Sequence, residues 1–231
     1  DGKYVGDQTY PDFADAINSL KDSGSSIRTL SFGIGSSAGD IYRVIENLID
    51  KEGTGPESSL YKNFAALKEA IPSIDSLDYD DEENYDLRSM EKFSLMLNGL
   101  GYDLTVCPYQ ESSFWAEEIK ATNSKNPDTI TGAHLQTYAG GINNDPCSSD
   151  WQSLGVPLYP GFDTKSSPSD VTSKLETWRK HCDLNGAFMW VYDEFNPGEA
   201  AEYASAIKAG LNEETLTDSI ESFMTILDFR F

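Results

Sequence analysis

Acidic side chains with the spacing of a β-strand lie near the middle of the chain. Asp78, Asp80 and Glu82 occur at every second position, and alternate side chains of a strand project to the same face. Three carboxylates on one face cannot all ionise at ordinary pKa values, so we expect at least one to hold a proton near neutral pH. A carboxyl group that stays protonated can act as a general acid, and Glu82, the last of the three, is the predicted donor.

Two other interpretations of these acids stay open. Acidic runs are usually solvated loops, and a chain with 39 Asp and Glu residues can contain a chance cluster. A calcium-binding loop is the second alternative, but Glu83 stands where such a loop requires glycine. Leu77 and Tyr79 alternate with the acids, which is typical of a strand entering a core and disfavours the solvated loop.

The sequence predicts that these acids are positioned by a parallel α/β fold. Apolar strand-like runs alternate with amphipathic helical runs, which indicates a parallel sheet covered by helices. Strands are predicted near residues 27–32, 74–82, 102–107, 130–138, 156–159 and 186–192. Helices are predicted near residues 11–21, 41–50, 57–70, 87–100, 114–121, 171–181 and 197–210. In a parallel barrel, acids at the end of a strand would stand at the mouth where active sites assemble.

The acidic segment resembles the DxxDxDxE signature of glycoside hydrolase family 18, the chitinases and endo-β-N-acetylglucosaminidases. The four matching acids are Asp75, Asp78, Asp80 and Glu82. The run 80–82, Asp-Asp-Glu, is similar to that of the endo-β-N-acetylglucosaminidases acting on N-glycans, whereas Ser76 replaces the family's usual glycine. The resemblance implies a (β/α)8 TIM-type barrel. It also implies an enzyme that hydrolyses β-1,4 linkages in chitin, chitooligosaccharides or the N-glycan chitobiose core.

The resemblance further implies a retaining, substrate-assisted mechanism without metal or cofactor. Glu82 would protonate the glycosidic oxygen while the 2-acetamido carbonyl of the sugar attacks the anomeric carbon. Asp80 would hold the acetamido nitrogen, helped by Tyr138. Asp78 would share a proton with Asp80, and Asp75 would support the strand.

Sugar-binding residues are also expected from the resemblance, at the ends of other strands. They are Gly33, Tyr109, Gln110, Gln136 and Trp190. Trp190 is similar to the family's barrel-floor tryptophan, and Gln136-x-Tyr138 is similar to its Gln-x-Tyr at the sixth strand. Aromatic rings against the apolar face of a pyranose, with polar groups nearby, are what sugar binding requires. The pair 140–141, Gly-Gly, is expected to leave open space beside Tyr138.

The glycine-rich turn at residues 33–39 has two interpretations. It fits a loose GxGxxA dinucleotide-binding turn, since it follows a predicted strand and precedes a helix. It also resembles the family's Ser-x-Gly-Gly at the third barrel strand, with Ile34 replacing one glycine. The hydrolase interpretation is favoured, and a nucleotide-dependent enzyme is the more distant alternative.

The predicted strands are too few for a whole barrel. The 231 residues suit one domain, whereas a (β/α)8 barrel typically needs about 250. The six strands correspond to the family's third to eighth, so the first two are missing from their usual place. The segment 222–231 alternates like a strand and looks like the family's second. We therefore expect a barrel that is incomplete or circularly permuted, with this segment as a relocated strand.

The net charge and the cysteines limit which binding partners and which cellular compartment are expected. A net charge of −22 argues against nucleic acid and anionic membranes as partners but permits glycans. No apolar run has membrane-spanning length, and residue 1 begins no signal peptide, so a targeting segment is expected to be absent or removed. Cys147 and Cys182 could form one disulfide, whereas Cys107 is predicted to be a buried strand thiol. Secretion is favoured mainly by the resemblance.

A protein that binds carbohydrate without cleaving it is the main alternative to an enzyme. Chitinase-like lectins and storage proteins use the same fold, and in them the catalytic acid is commonly replaced. Glu82 is present here, which favours an enzyme. The absence of the first barrel strand could nevertheless disrupt the active site while leaving the acidic motif intact.

Overall fold

The computed structural model describes residues 2–6, 9–35 and 40–211, which form an α/β fold. The strands are β1 (Ser31–Gly35), β2 (Ser76–Asp80), β3 (Asp103–Val106), β4 (Ile130–Gln136), β5 (Leu158–Asp163) and β6 (Phe188–Trp190). The helices are α1 (Phe13–Ser19), α2 (Ile41–Glu52), α3 (Ser59–Ala70), α4 (Leu87–Gly99), α5 (Ser112–Lys125), α6 (Ser149–Gln152), α7 (Pro168–Trp178) and α8 (Glu199–Leu211). Short 3-10 turns occupy Ala139–Gly141 and Tyr192–Glu194. Among the described residues, no helix combines the length and apolarity needed to cross a bilayer.

The strands form one parallel sheet in chain order, β1-β2-β3-β4-β5-β6, with helical segments after each strand. The predicted α/β class is thereby confirmed, and the order is compatible with part of a (β/α)8 barrel. The described part of the chain contains six strands, so it does not make a complete eight-stranded barrel. The segment 222–231, predicted to be a relocated strand, lies outside the described residues.

The chain divides into two compact units. Unit 1 contains the described residues up to Thr105 together with Glu117–Thr131. Unit 2 contains Val106–Ala116 and the described residues from Gly132 onward. Strands β1 and β2 belong to unit 1, and β5 and β6 belong to unit 2.

Aromatic packing forms the core of unit 1. Tyr79 of β2 stacks on Phe93 of α4 with ring centroids 5.8 Å apart, and Phe64 of α3 meets Phe93 edge-on at 5.3 Å. Helix α4 can present Phe93 inward because its buried residues recur at helical spacing. Its first turn is fixed by Asp86, whose side chain accepts a hydrogen bond from the Ser89 N–H.

A second core fills unit 2. It is built from Phe162 of β5 together with Val171, Leu175, Tyr203 and Ala206 of helices α7 and α8. Helix α7 begins with Pro168 and a capping box formed by Ser167 and Asp170.

One prediction about the cysteines is confirmed and another is wrong. Cys147 and Cys182 form a disulfide, as the sequence indicated. The prediction of a buried strand thiol at Cys107 is wrong, because β3 ends at Val106 and Cys107 lies just beyond it, half-buried.

Two strand boundaries differ from the prediction for identifiable reasons. Strand β1 begins at Ser31 rather than residue 27, because the Leu30 N–H donates to the Asp75 carboxylate (2.7 Å). Strand β5 continues through Pro160 and Gly161 to Asp163, whereas the prediction ended it at residue 159. Gly161 is needed there because a Cβ atom would lie 2.1 Å from the Phe188 ring.

Candidate functional site

Strand β2 turns its acidic and aromatic residues to opposite faces. Tyr79 packs against the helices, stacking on Phe93 and meeting the Tyr42 ring edge-on at 6.2 Å. Asp78 projects to the other face, is 3% exposed, and accepts a hydrogen bond from the Thr105 hydroxyl of β3 (2.5 Å). Thr105 was not predicted from the sequence. Its position inside the third predicted strand was the available signal.

Asp75 lies before β2, away from the strand end that carries Asp80. Its carboxylate pairs with the Lys21 ammonium (2.6 Å) and accepts the Leu30 N–H (2.7 Å). Asp75 therefore connects the start of β1 to the start of β2. It supports β2 from this end, and Asp80 lies at the other end of the strand.

The turn after β2 is built around Asp81. This residue is 3% exposed, and its carboxylate accepts the N–H groups of Glu83, Asn84 and Tyr85 at 3.1, 2.9 and 2.9 Å. Three donors on one carboxylate form a compact turn of the kind that Asp favours. Glu82 is thereby held between the end of β2 and a fixed turn, a role for Asp81 that the sequence motif alone does not reveal.

Glu82 is half-buried and borders a small open recess. The other lining residues are Asp40, Tyr42, Arg43, Asp81, Glu83 and Asn84. The Arg43 guanidinium is paired with Asp40 at 2.8 Å. The Glu82 side chain is therefore within reach of solvent, as a proton donor to an external group must be.

The acids of this segment act on the neighbouring Tyr42 phenol. Burial raises the pKa of the Tyr42 phenol well above its usual range, and the neighbouring Tyr79, Asp81, Asp80 and Asp78 raise this pKa further. The Tyr42 hydroxyl instead donates a hydrogen bond to the Ile34 carbonyl (2.5 Å). Tyr42 thus remains a neutral donor beside the acidic strand.

Glycines of β1 permit the close approach of β1 and β2. Gly33 lies opposite Asp78 and Gly35 opposite Asp80 in the parallel register. A Cβ atom at Gly35 would lie 2.5 Å from both the Asp80 carbonyl oxygen and the Tyr42 ring, and its φ of +107° also favours glycine. Residues 36–39 of the possible dinucleotide turn lie outside the described residues.

Unit 2 contains a stacked aromatic pair. The rings of Tyr138 and Trp190 are parallel to within 3° and their centroids are 5.2 Å apart. Tyr138 is 5% exposed and Trp190 is 40% exposed, and the peptide bond after Trp190 is cis. Phe188 meets Tyr138 edge-on at 6.1 Å. We call the Tyr138–Trp190 pair the aromatic platform.

Gln136 is buried, and its side chain binds a backbone carbonyl group. Its side-chain nitrogen donates to the Cys107 carbonyl (3.1 Å). The Asn144 amide, which the sequence analysis missed, donates to the carbonyls of Gln136 (2.9 Å) and Tyr109 (2.8 Å). Gln110 is exposed.

The expectation of open space at the glycine pair 140–141 is wrong. A Cβ atom at Gly140 would lie 2.8 Å from the Tyr109 ring, and one at Gly141 would lie 2.2 Å from the Gln136 carbonyl oxygen. Because glycine has no side chain, Gly140 leaves room for the Tyr109 ring and Gly141 leaves room for a tight backbone turn.

A further acid at a strand end, Asp163, was also missed. It is 9% exposed and lies opposite Trp190 in the pairing of β5 with β6. The prediction ended this strand at residue 159, so Asp163 fell into a loop. The apolar Phe162 before it was the available signal that the strand continues.

The predicted site residues fall into two groups, one in each unit. Unit 1 holds Gly33, Asp75, Asp78, Asp80 and Glu82. Unit 2 holds Tyr109, Gln110, Gln136, Tyr138 and Trp190. Within the part of the chain that the structure describes, no group of three or more His, Cys, Asp or Glu side chains could hold a metal ion.

Comparison with models of known protein families finds no match to this sequence. A search of curated proteins likewise finds no matching relative.

Proposed function

We propose that the chain hydrolyses β-1,4 linkages in glycans that contain N-acetylglucosamine, by a retaining and substrate-assisted mechanism. The observation that carries the proposal is the acidic face of β2, where buried Asp78 is followed by Asp80 and then by Glu82 at a solvent-reachable turn. The resemblance of these acids to the family 18 signature supplies the reaction class.

Each acid has surroundings suited to its proposed role. Glu82 borders the recess and can donate a proton to a glycosidic oxygen from there. Asp78 is buried against Thr105, and Asp80 lies two residues along the same face. In this proposal Asp80 holds the acetamido group, and Asp78 supports it from the same face of the strand.

The aromatic platform supports a carbohydrate as the substrate. An indole that is 40% exposed and backed by a parallel tyrosine ring offers a rigid flat surface. Such surfaces bind the apolar faces of pyranose rings. The net charge of −22 also makes a polyanionic substrate unfavourable.

An extracellular location is part of the proposal. The disulfide between Cys147 and Cys182 supports it, because disulfides persist mainly in oxidising compartments.

A non-catalytic carbohydrate-binding protein is the second candidate. The aromatic platform belongs to unit 2, whereas the acids of β2 belong to unit 1, so a sugar-binding surface does not depend on the acids. Chitinase-like lectins and storage proteins are the class that this alternative implies.

One assay separates the two candidates. The chain is incubated with chitotetraose and, separately, with a high-mannose glycoprotein, and the products are followed by chromatography and by proton NMR of the anomeric signals. We expect cleavage, with the β-anomer appearing first. Binding of chitotetraose without cleavage of either substrate would favour the lectin, and neither binding nor cleavage would refute both candidates.

A further inference from the structure

The side chain of Asn144 joins the ends of two strands in unit 2. Its amide nitrogen donates hydrogen bonds to the Tyr109 carbonyl, in the segment after β3 (2.8 Å), and to the Gln136 carbonyl at the end of β4 (2.9 Å). Its amide oxygen accepts a hydrogen bond from the indole N–H of Trp151 (3.3 Å), a residue that is 6% exposed. Because an indole N–H can only donate and a carbonyl can only accept, these partners fix the orientation of the amide.

The loop that carries Asn144 is held by contacts of its own. The Asn144 N–H donates to the Gly141 carbonyl (2.8 Å), and the Gln152 amide donates to the Pro146 carbonyl (2.8 Å). Between them, Cys147 belongs to the disulfide that joins this loop to the segment after α7. A side chain on a fixed loop can hold a neighbouring segment in one position, as supporting residues do behind a binding site.

The segment after β3 carries Tyr109 to the C-terminal edge of the sheet. The Gln136 N–H donates to the Pro108 carbonyl (2.9 Å), so this segment runs beside the end of β4. The Tyr109 ring lies against Gly140, where a Cβ atom would be 2.8 Å from it, and Gly140 is two residues beyond Tyr138. Tyr109 is half-buried, so it is within reach of a ligand. Parallel α/β folds bind their ligands at this edge, beyond the C-terminal ends of the strands.

We propose that Asn144 is a positioning residue for glycan binding, which holds Tyr109 in the position from which its ring contacts the sugar chain. Asn144 itself touches no sugar. A tyrosine ring packs against the apolar face of a pyranose, and its hydroxyl can bond a sugar hydroxyl. A ring that is already held in place binds more tightly than one that must be ordered during binding. This inference rests on the proposed function, since it takes a glycan that contains N-acetylglucosamine as the ligand.

A double-mutant cycle tests the inference. Calorimetry measures binding of chitotetraose to the full chain carrying Glu82→Gln, which prevents turnover in the proposed mechanism. Asn144→Asp keeps an acceptor for the Trp151 N–H but replaces the amide donor by an oxygen that faces two carbonyls. We expect it to weaken binding about tenfold by releasing Tyr109. Tyr109→Ala should weaken binding at least as much, and adding Asn144→Asp to Tyr109→Ala should cause little further loss, because both changes remove the same contact.

Asn143→Asp is the matched control, because it makes the same chemical change at the exposed neighbouring position. Its affinity for chitotetraose should equal that of the chain carrying Glu82→Gln alone. Thermal unfolding is followed for every variant, and binding is measured below the unfolding transition. If Asn144→Asp does not fold, Asn144→Ala takes its place in the cycle, since it removes the two donated hydrogen bonds without adding a charge.

A purely structural role for Asn144 predicts a lower unfolding temperature with unchanged affinity of the folded protein, and that result would overturn the inference. Equal weakening by Asn143→Asp and Asn144→Asp would also overturn it, as would additive losses in the double variant. Absence of chitotetraose binding by the chain carrying Glu82→Gln alone would do the same. The proposed function fails by a different result, the absence of cleavage by the unaltered chain.

Discussion

At the scale of single residues, the acids in and beside β2 have different surroundings. Asp75 lies at the strand entry beside Lys21, and Asp78 is buried against Thr105. Asp81 accepts three backbone N–H groups, whereas Glu82 borders a recess. Glu82 is therefore the acid that the proposed mechanism uses to donate a proton to an external substrate.

The Asp81 turn gives the first prediction at this scale. Asp81→Ala removes the acceptor of three part-buried backbone N–H groups, so we expect the free energy of unfolding to fall by about 1–3 kcal/mol. The catalytic rate constant should fall as well, because Glu82 loses its fixed position. Urea denaturation and chitotetraose hydrolysis measure the two effects.

Asp81→Asn is a useful second variant for comparison, because its single side-chain oxygen can still accept some of these hydrogen bonds. An intermediate loss of stability is expected for Asp81→Asn. Unchanged stability in Asp81→Ala would show that the turn does not depend on this carboxylate.

At the scale of secondary-structure elements, a buried hydrogen-bond network joins the back of β2 to helices α4 and α5. The Ser94 hydroxyl lies within hydrogen-bond distance of the Tyr79 hydroxyl (3.2 Å) and of Glu118 Oε1 (3.1 Å). The Thr122 hydroxyl also donates to Glu118 Oε1 (2.8 Å). Glu118 is fully buried, and among the described residues its Oε2 has no hydrogen-bond partner.

Burial raises the pKa of the Glu118 carboxyl from 4.5 to about 7, although the hydroxyls of Thr122 and Ser94 lower it in part. Of the charged neighbours, Glu91 raises this pKa and Lys125 lowers it, and these two are paired with each other. The folded protein therefore retains a proton on Glu118 over a pH range in which the unfolded chain has released it.

Stability should consequently fall as the pH rises from about 4.5 to about 7. Glu118 is neutral in both states below that range, and above it the folded state contains a buried charge. The shift corresponds to roughly 3 kcal/mol. In Glu118→Gln this contribution should vanish, so the difference in unfolding free energy between variant and unaltered chain should grow across the same range. Urea denaturation at several pH values measures it, and a difference independent of pH would contradict the prediction.

The sequence predicted the elements better than their ends. Alternation of Leu77 and Tyr79 with the acids was sufficient to predict β2 and its two faces, because strand periodicity is a local property. The end of β5 could not be predicted, since Gly161 is explained by the Phe188 ring of a neighbouring strand. The start of β1 likewise depends on Asp75, which is distant along the chain.

The roles of the glycines were also set by distant residues. Gly140 accommodates the Tyr109 ring, and Gly35 accommodates Tyr42 and the backbone of Asp80. A glycine signals that the backbone is approached closely, but the sequence does not identify the group that approaches.

At the scale of the whole molecule, the net charge and the disulfide limit the kind of partner and affect the stability of the fold. The net charge of −22 disfavours polyanionic partners. The Cys147–Cys182 disulfide spans 35 residues of unit 2, and a loop of that length stabilises the folded state by restricting the unfolded chain.

Hydrolysis by the whole chain tests the central claim most directly, through a Glu82→Gln variant and a Glu69→Gln control. Glu69 is exposed on α3, so its substitution makes the same change of charge at an unrelated position. With chitotetraose as substrate, Glu82→Gln should lower kcat by roughly 10²–10⁴-fold, as expected for loss of a general acid. Circular dichroism should be unchanged, and Glu69→Gln should retain full activity. Turnover by Glu82→Gln within about twofold of the unaltered chain would contradict the assignment of the acid.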